Sequence, residues 1–551
     1  MPTPNSASPA TNVPLSGQLI IDAILHAIKW GGDLSTGATI SYSFPWTSGD
    51  SYFYGFTSTG KYSKLEEQKA TSHFALTTEQ QLSASKAFQA WANVANLNFV
   101  PVADNISSAG DIRIAWTSAV DITSTNKKAW GWAYQPNKSY PDGGDIWIST
   151  ESSGATNKDW STGSYNFMSL MHEIGHALGL KHPFDDEGTT LPASLDTRQN
   201  TIMSYTSVVN DLFRTISYDS NNKPVFTYKD VVQETPMVYD IAAMQYLYGA
   251  NNSYKTGNDT YTFDPNTPFF KTIWDAGGND TISVANFSLG CVIDLTPGNY
   301  SDIRMISAPN PKGYTGGTVP TYDGIGNLGI AFGAYIENAI GGAGDDRLIG
   351  NKLNNSFTGN GGNDAIDGGL GLDTANYSGL HGDYIITASG VTAVVKAKTG
   401  IEGTDTLVSV ERLHFSDDNI ALDISGIAGQ AYRLYQAAFD RKPDLKGLGY
   451  WINDMDNGSS LTTVAAGFML SPEFQKLYGS APSNTTLINN FYQNVLHRTP
   501  DKAGFDYWLD QLNTHKITAA GALASFCESA ENQALVIGSI QNGIEYLAWP
   551  A

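Results

Sequence analysis

The sequence predicts a multi-domain chain: an α/β (α+β) unit, then an all-β parallel β-roll, then an all-α repeat domain. Three observations carry this. Helical and strand-like periodicities alternate up to about residue 250. Four nine-residue units then follow one another without gaps over residues 341–376, as GGAGDDRLI, GNKLNNSFT, GNGGNDAID and GGLGLDTAN. From about residue 430 the chain turns helical and repeats itself at a constant offset. Tyr435-Gln436 returns as Tyr492-Gln493, Arg441 as Arg498, Pro443-Asp444 as Pro500-Asp501, Gly447 as Gly504, and Tyr450-Trp451 as Tyr507-Trp508. A chain of 551 residues is too long for one core.

Residues 1–15 are rich in Pro, Ser, Thr and Asn and read as a mobile leader. Residues 19–28 (LIIDAILHAI) predict a short amphipathic helix, and 39–44 (TISYSF) alternate as a strand does. A helix is expected over 78–96, with Thr78 as N-cap and Gln81 completing a capping box. Ala84, Ala87, Phe88, Trp91 and Ala95 form its apolar face. Strands are expected at 111–116 and 145–149, and a second helix at 165–178. Residues 405–423 read as a strand-rich bridge to the helical repeats.

The formal net charge of -22 disfavours nucleic acid and anionic membrane surfaces as partners, since both are polyanions, and favours multivalent cations. Two distant cysteines, Cys291 and Cys527, exclude a disulfide framework. No segment has the roughly 18 apolar residues that span a bilayer. Residues 1–30 carry no Lys or Arg before Lys29 and lack the basic and apolar regions of a secretory signal. Export, if it occurs, therefore follows a route that does not read the N-terminus.

The stretch that carries chemistry is His172-Glu173-Ile174-Gly175-His176-Ala177-Leu178-Gly179-Leu180-Lys181-His182. His172 and His176 stand four apart, so on a helix they share a face and can hold one ion. Glu173, rotated by roughly 100°, stays off the metal but within reach of its water. Gly179 permits a turn with positive φ that ends the helix and returns His182 as a third ligand. Three neutral imidazoles leave one tetrahedral corner for water, whose pKa zinc lowers towards about 7. Glu173 can take the proton and later deliver it to a leaving amine.

The extended pattern resembles the metzincin metalloproteases and, within them, the serralysins. Met203, in Thr201-Ile202-Met203-Ser204-Tyr205, is similar to the methionine of their Met-turn, which packs beneath the zinc. Tyr205 stands where serralysins carry a tyrosine that ligates zinc at rest and swings away to bond the tetrahedral intermediate. Residues 239–250 (YDIAAMQYLYGA) resemble the helix closing their protease domain, and 143–148 (GGDIWI) a strand of its sheet. Residues 129–134 are the expected edge strand on which an extended substrate would lie. The resemblance covers about residues 20–375. It implies a secreted, zinc-dependent endopeptidase acting on peptide bonds, with one catalytic zinc and several structural calcium ions. It also implies a leader, residues 1–18, removed autocatalytically as a propeptide.

In each nine-residue unit the eighth residue, Leu348, Phe357, Ile366 or Ala375, is expected to face inward. The sixth supplies Asp346, Asn355, Asp364 or Asp373. Two units make one turn, so Asp346 stacks with Asp364 and Asn355 with Asp373. Hard oxygen ligands suit Ca²⁺, and the second pair, short of one charge, should bind it more weakly. Gly341, Ala343, Asn360, Gly362, Gly369 and Gly371 complete the calcium ligands expected in the repeat. By the resemblance, Asp275, Gly277, Gly278 and Asp280 form a further calcium loop, with Lys255, Gly257 and Asp259 on the preceding loop and Glu337 on the matching strand.

The expected domains are therefore a leader at 1–18, the protease domain at 19–250, the calcium roll at 251–425 and the helical duplicate at 426–551. The helical duplicate resembles a domain of unassigned function in secreted bacterial proteins. Serralysins leave Gram-negative bacteria through a type I exporter that reads the C-terminus. Glu545-Tyr546-Leu547-Ala548-Trp549 resembles that signal, and Pro550-Ala551 departs from it. The expected product is an extracellular monomer acting on protein substrates. The competing reading is a calcium-dependent surface adhesion protein with a vestigial protease domain; the complete zinc set weighs against it.

Overall fold

The computed structural model describes residues 8–55, 60–120, 129–137, 141–185, 188–314 and 319–549. The chain forms two compact units, one of residues 1–286 with 291–336, the other of residues 287–290 with 337–551. The change in composition near residue 250 is therefore not a break in packing. Trp274 donates its indole N–H to the carbonyl of Asn251, and the Tyr300 hydroxyl donates to the carbonyl of Gln199. These bonds fasten the Gly- and Asn-rich segment onto the first unit.

The first unit is built on a twisted sheet with strand order Leu97–Pro101, Ala38–Ser43, Ile112–Thr117, Ile146–Ser149 and Gly131–Ala133. The first four run parallel; Gly131–Ala133 is antiparallel to Ile146–Ser149 and ends the row. Ile112, Ile114, Ile146 and Ile148 are fully buried, the pattern of strands covered on both faces. Helix Thr78–Val94 packs beside helix Tyr165–Ala177, and the Trp91 indole N–H reaches the Met171 carbonyl at 3.1 Å. The cap of the first helix is Thr77, not Thr78: its hydroxyl accepts from the Gln80 N–H while the Gln80 amide oxygen accepts from the Thr77 N–H.

Two expectations for the N-terminus fail. The helix at 19–28 stops at Asp22. The Asp22 carboxylate is occupied by Ser16 and the Gly17 N–H, and Ala27 turns the chain with φ +54°. Ile28–Trp30 then pairs antiparallel with Ala10–Asn12, so this part of the expected mobile leader is a strand. Residues 1–7 of the leader, and Pro550-Ala551, lie outside the described residues. The antiparallel hairpin Leu212–Tyr218/Pro224–Asp230 was not anticipated.

In the second unit, three-residue strands stack in parallel with the expected offset. Asn338–Ile340 pairs with Ser356–Thr358, and Ser356–Thr358 with Thr374–Asn376; Arg347–Ile349 pairs with Ala365–Asp367. Leu348, Phe357, Ile366 and Ala375 are buried between the two stacks. The stacks continue beyond the repeats with Arg412–His414 and Thr404–Val408, although the hairpin Tyr384–Ser389/Thr392–Ala397 intervenes in sequence. Eight helices follow, from Ile427–Phe439 to Ala530–Ile540, four for each copy of the repeat. Trp451 and Trp508 pack on the aromatic core of their own copies, against Phe468 and Phe526. The chain then returns to the strands, where Ile544–Tyr546 pairs with Asn419–Ala421.

Candidate metal centre and cleft

Helix Tyr165–Ala177 begins at Ser164, whose hydroxyl accepts from the Phe167 N–H, and is buried along almost its whole length. Its C-terminal carbonyls are held from the N-terminal segment and the closing helix. Trp30 donates its indole N–H to the Ala177 carbonyl, and Tyr248 its hydroxyl to the Leu178 carbonyl. Gly179 then adopts φ +110°, and a Cβ there would stand 2.1 Å from the Ile28 carbonyl oxygen. Only glycine satisfies both demands. The emerging chain pairs with residues 24–26 through His26 N–H to Gly179 O and Lys181 N–H to Ile24 O, which aims His182 back at the helix.

The three imidazoles converge as the spacing predicted. His172 and His176 Nε2 are 3.1 Å apart, His176 and His182 Nε2 3.0 Å, and His172 and His182 Nε2 3.3 Å. Each Nδ1 faces a group that only accepts: the Ile202 carbonyl, the Leu180 carbonyl and the Asp185 carboxylate. The ring protons therefore sit on Nδ1, and three Nε2 lone pairs meet at one point. Ligands about 2.05 Å from a tetrahedral centre stand about 3.3 Å from one another, so the donor set fits zinc. Burial, reinforced by the neighbouring rings, lowers the His172 pKa well below that of a free imidazole. Burial likewise holds His176 down and takes His182 to about 2. All three rings are neutral, the form that ligates.

Glu173 is buried, and desolvation lifts its carboxyl to about 8. Met203 is fully buried, with its sulfur 2.8 Å from the place a Cβ on Gly175 would occupy. The methionine thus packs against the helix between the two ligating turns. Tyr205 is more than half exposed; its ring lies 4.7 Å from that of His182 and 5.7 Å from that of His172. Two cavities, of about 230 and 540 Å³, share Gly131, Glu173 and Tyr205 in their walls. They run along the edge strand Gly131–Ala133; its Trp132 indole, and the hydroxyl of Tyr134 just after it, both donate to the buried carboxylate of Glu67.

Asp240 is a site residue that sequence reasoning missed, although its segment had been singled out. Its carboxylate is fully buried. It accepts from the Thr201 hydroxyl and from the N–H groups of Ile202 and Met237, at 2.6, 2.8 and 2.8 Å. Burial pushes its carboxyl up to about 7 against the pull of those donors. The Ile202 carbonyl on the same turn orients His172, so Asp240 fixes both the methionine turn and one ligand.

Of the expected calcium ligands in the first unit, Asp259, Asp275 and Asp280 offer oxygens within 4.8 Å of one another. The Lys255 ammonium donates to Asp259 at 2.6 Å, so only the Lys255 carbonyl is left as a ligand. Gly277 and Gly278 take φ +140° and +156° in this loop, and Gly257 lies beneath Gly278, where a Cβ would meet its carbonyl at 2.2 Å. Glu337 belongs to the second unit, where its carbonyl accepts from Asn355.

In the second unit the sixth-position carboxylates form a ladder. The Asp346 N–H donates to Asp364 Oδ1, and the Asn355 N–H to Asp373 Oδ1. The ladder continues where no repeat is visible: the Asp364 N–H donates to Asp405 Oδ1, and the Asp373 N–H to Glu411. Asp405 and Glu411 are therefore rungs that period nine could not find. Asp364 Oδ2 and Asp373 Oδ2 are buried with no hydrogen-bond partner among the described residues. Burial lifts both carboxyls to about 7, helped by Asp405 and Glu411 respectively. Gly341, Gly350, Gly359 and Gly368 line these loops, and Gly362, Gly369 and Gly371 have positive φ. Asn360 donates to the Gly341 carbonyl, and the Ala343 N–H bonds the Phe287 carbonyl.

Two helix-borne imidazoles, a third from the following turn and a methionine packed beneath them define a metzincin-class metal site. Residues 62–204 match the family Matrixin, and residues 238–312 match Peptidase M10 serralysin C terminal. Residues 430–477 and 465–536 match a domain of unknown function, DUF4214. The chain is 31% identical to Serralysin of Proteus mirabilis over 356 residues, 60% of this chain and 63% of that protein. It is 31% identical to Metallopeptidase AprA of Pseudomonas marginalis over 373 residues, 61% and 71% of the two chains. Against Serralysin of Photorhabdus luminescens it is 32% identical over 301 residues, 52% and 55%. The matches thus span between about half and 71% of these relatives. The chain belongs to the serralysin-type metzincin metalloproteases.

Proposed function

We propose that this protein is a secreted zinc endopeptidase stabilised by calcium. The observation that carries the reading is the convergence of three proton-free Nε2 atoms beside a buried glutamate. Zinc held by His172, His176 and His182 would supply Lewis acidity to a carbonyl and acidify a water. Glu173 takes the proton from the attacking water and returns it to the leaving nitrogen. Tyr205, at the junction of the two cavities, donates its hydroxyl hydrogen bond to the carbonyl oxygen as that oxygen turns into the oxyanion of the tetrahedral intermediate. The edge strand Gly131–Ala133 offers its backbone to an extended peptide, so selectivity falls to pockets rather than to sequence readout.

The parallel stacks of the second unit are a calcium β-roll. The ladder of carboxylates with orphaned inner oxygens supports this reading. Asp346, Asp364 and Asp405 bind calcium along one side, Asn355, Asp373 and Glu411 more weakly along the other, and Asp259, Asp275 and Asp280 hold another ion. Secretion follows the type I route and delivers a monomer that acts on extracellular proteins. No described helix is long and apolar enough to cross a membrane.

Casein digestion by the zinc- and calcium-loaded chain tests the enzymatic reading. Glu173→Gln should retain zinc and lose at least about a hundredfold in kcat, the contribution of a positioned general base. No activity in the loaded parent would leave the adhesion reading standing.

A further inference from the structure

A second cluster with metal-ligand chemistry lies far along the chain from the catalytic histidines. His381, Asp418 and Glu545 each offer one ligand atom, all within 4.8 Å of one another. They come from three separate segments of the second unit: the turn His381–Asp383, the tip of the hairpin Arg412–His414/Asn419–Ala421, and the strand Ile544–Tyr546. We propose that His381, Asp418 and Glu545 bind one divalent transition-metal ion of the zinc type, which fastens the last strand of the fold to the end of the stacked strands.

The imidazole is prepared for this. The His381 backbone N–H donates to the Asp417 carboxylate, the ring Nδ1 lies 2.9 Å from Asp418 Oδ2, and the ring stacks on Phe415 at 5.3 Å. Its orientation is set before any ion arrives. Nδ1 now shares a proton with the Asp418 carboxylate; an ion replaces the proton, and the pair opens from 2.9 Å to the roughly 3.3 Å of two ligands on one tetrahedral centre. Glu545, part-buried, brings a carboxylate oxygen within 4.8 Å of both and supplies the third edge.

An ion pair between His381 and Asp418 does not by itself account for the cluster. The Asp418 side chain is only 10% exposed, and its second oxygen, Oδ1, is shut from water with no hydrogen-bond partner among the described residues. A buried carboxylate oxygen in that state implies a missing partner. Glu545 brings a second negative charge, and neither carboxylate has a Lys or Arg partner among the described residues. One imidazole could neutralise one carboxylate; a divalent ion neutralises both. An imidazole with two carboxylates suits zinc and its neighbours, whereas Ca²⁺ takes six to eight oxygens and gains little from nitrogen. The site is therefore separate in chemistry from the roll ladder, as well as in position.

Equilibrium dialysis of the full chain against zinc, with calcium saturating, tests the proposal in the parent, His381→Ala and Glu545→Gln. The parent should hold one zinc more per chain than either variant, and all three should digest casein equally. Zinc should slow amide exchange over residues 544–546 in the parent and in neither variant. Equal zinc counts in parent and Glu545→Gln, a substitution that leaves the strand backbone and side-chain volume in place, would overturn the proposal. So would an extra ion that calcium displaces.

Discussion

Asp240 offers the sharpest test of how this centre is held. Truncation in Asp240→Ala leaves the Thr201 hydroxyl and the Ile202 and Met237 N–H groups without their acceptor in a fully buried place. Each orphaned donor costs about 1–3 kcal/mol, so the variant should lose about 4 kcal/mol, a large share of a typical domain's stability. Asp240→Asn separates volume from charge. Its single carbonyl oxygen cannot serve both sides, and its NH₂ must face a donor, at a cost of about 2 kcal/mol. The same turn carries the Ile202 carbonyl that orients His172, so zinc affinity should fall by about 10–100-fold in the asparagine variant. Urea unfolding of the calcium-loaded protein gives the first number, and competition with a chromogenic zinc chelator the second. If Asp240→Asn unfolds within about 0.5 kcal/mol of the parent and binds zinc as tightly, the carboxylate does not hold the turn, and the reasoning fails.

Two more substitutions probe the turn after the helix and the hidden rungs. Gly179→Ala combines a forbidden φ with overlap against the Ile28 carbonyl. It should cost at least about 3 kcal/mol and reduce bound zinc below one per chain, read by thermal unfolding and metal analysis. Asp405→Asn keeps the acceptor for the Asp364 N–H but removes a charge from the ladder. Calcium titration should show one site weakened by about tenfold, about 1.4 kcal/mol, and an unchanged isotherm would remove Asp405 from the ligand set.

The convergence of the three imidazoles was legible because helical spacing and one obligatory glycine fix it locally. His172, His176 and His182 needed no long-range information to be placed together. The nonapeptide register was legible for the same reason, and Leu348, Phe357, Ile366 and Ala375 are buried as their period requires. What escaped depends on contacts between distant segments. Asp405 and Glu411 are hidden by the hairpin inserted between them and the repeat, which breaks the period without breaking the stack. Asp240 looked like an ordinary first-turn helix acid until its turn-side donors came into view. Residues 23–28 carry a helical pattern, but Ala10–Asn12 recruits the end of that stretch into a strand. Thr77 and Thr78 are equally good caps on paper, and the Gln80 side chain decides between them.

The return of the chain to the sheet after the last helix changes how the helical repeats should be regarded. Ala421 and Ile544 face each other across one pair of antiparallel strands, so everything between them is an excursion that leaves and re-enters at the same point. The helices are a guest in a hairpin loop rather than an appendage. Such a module can be gained, lost or exchanged in one genetic step while the host sheet keeps both its neighbours, and a short turn in its place would restore the hairpin.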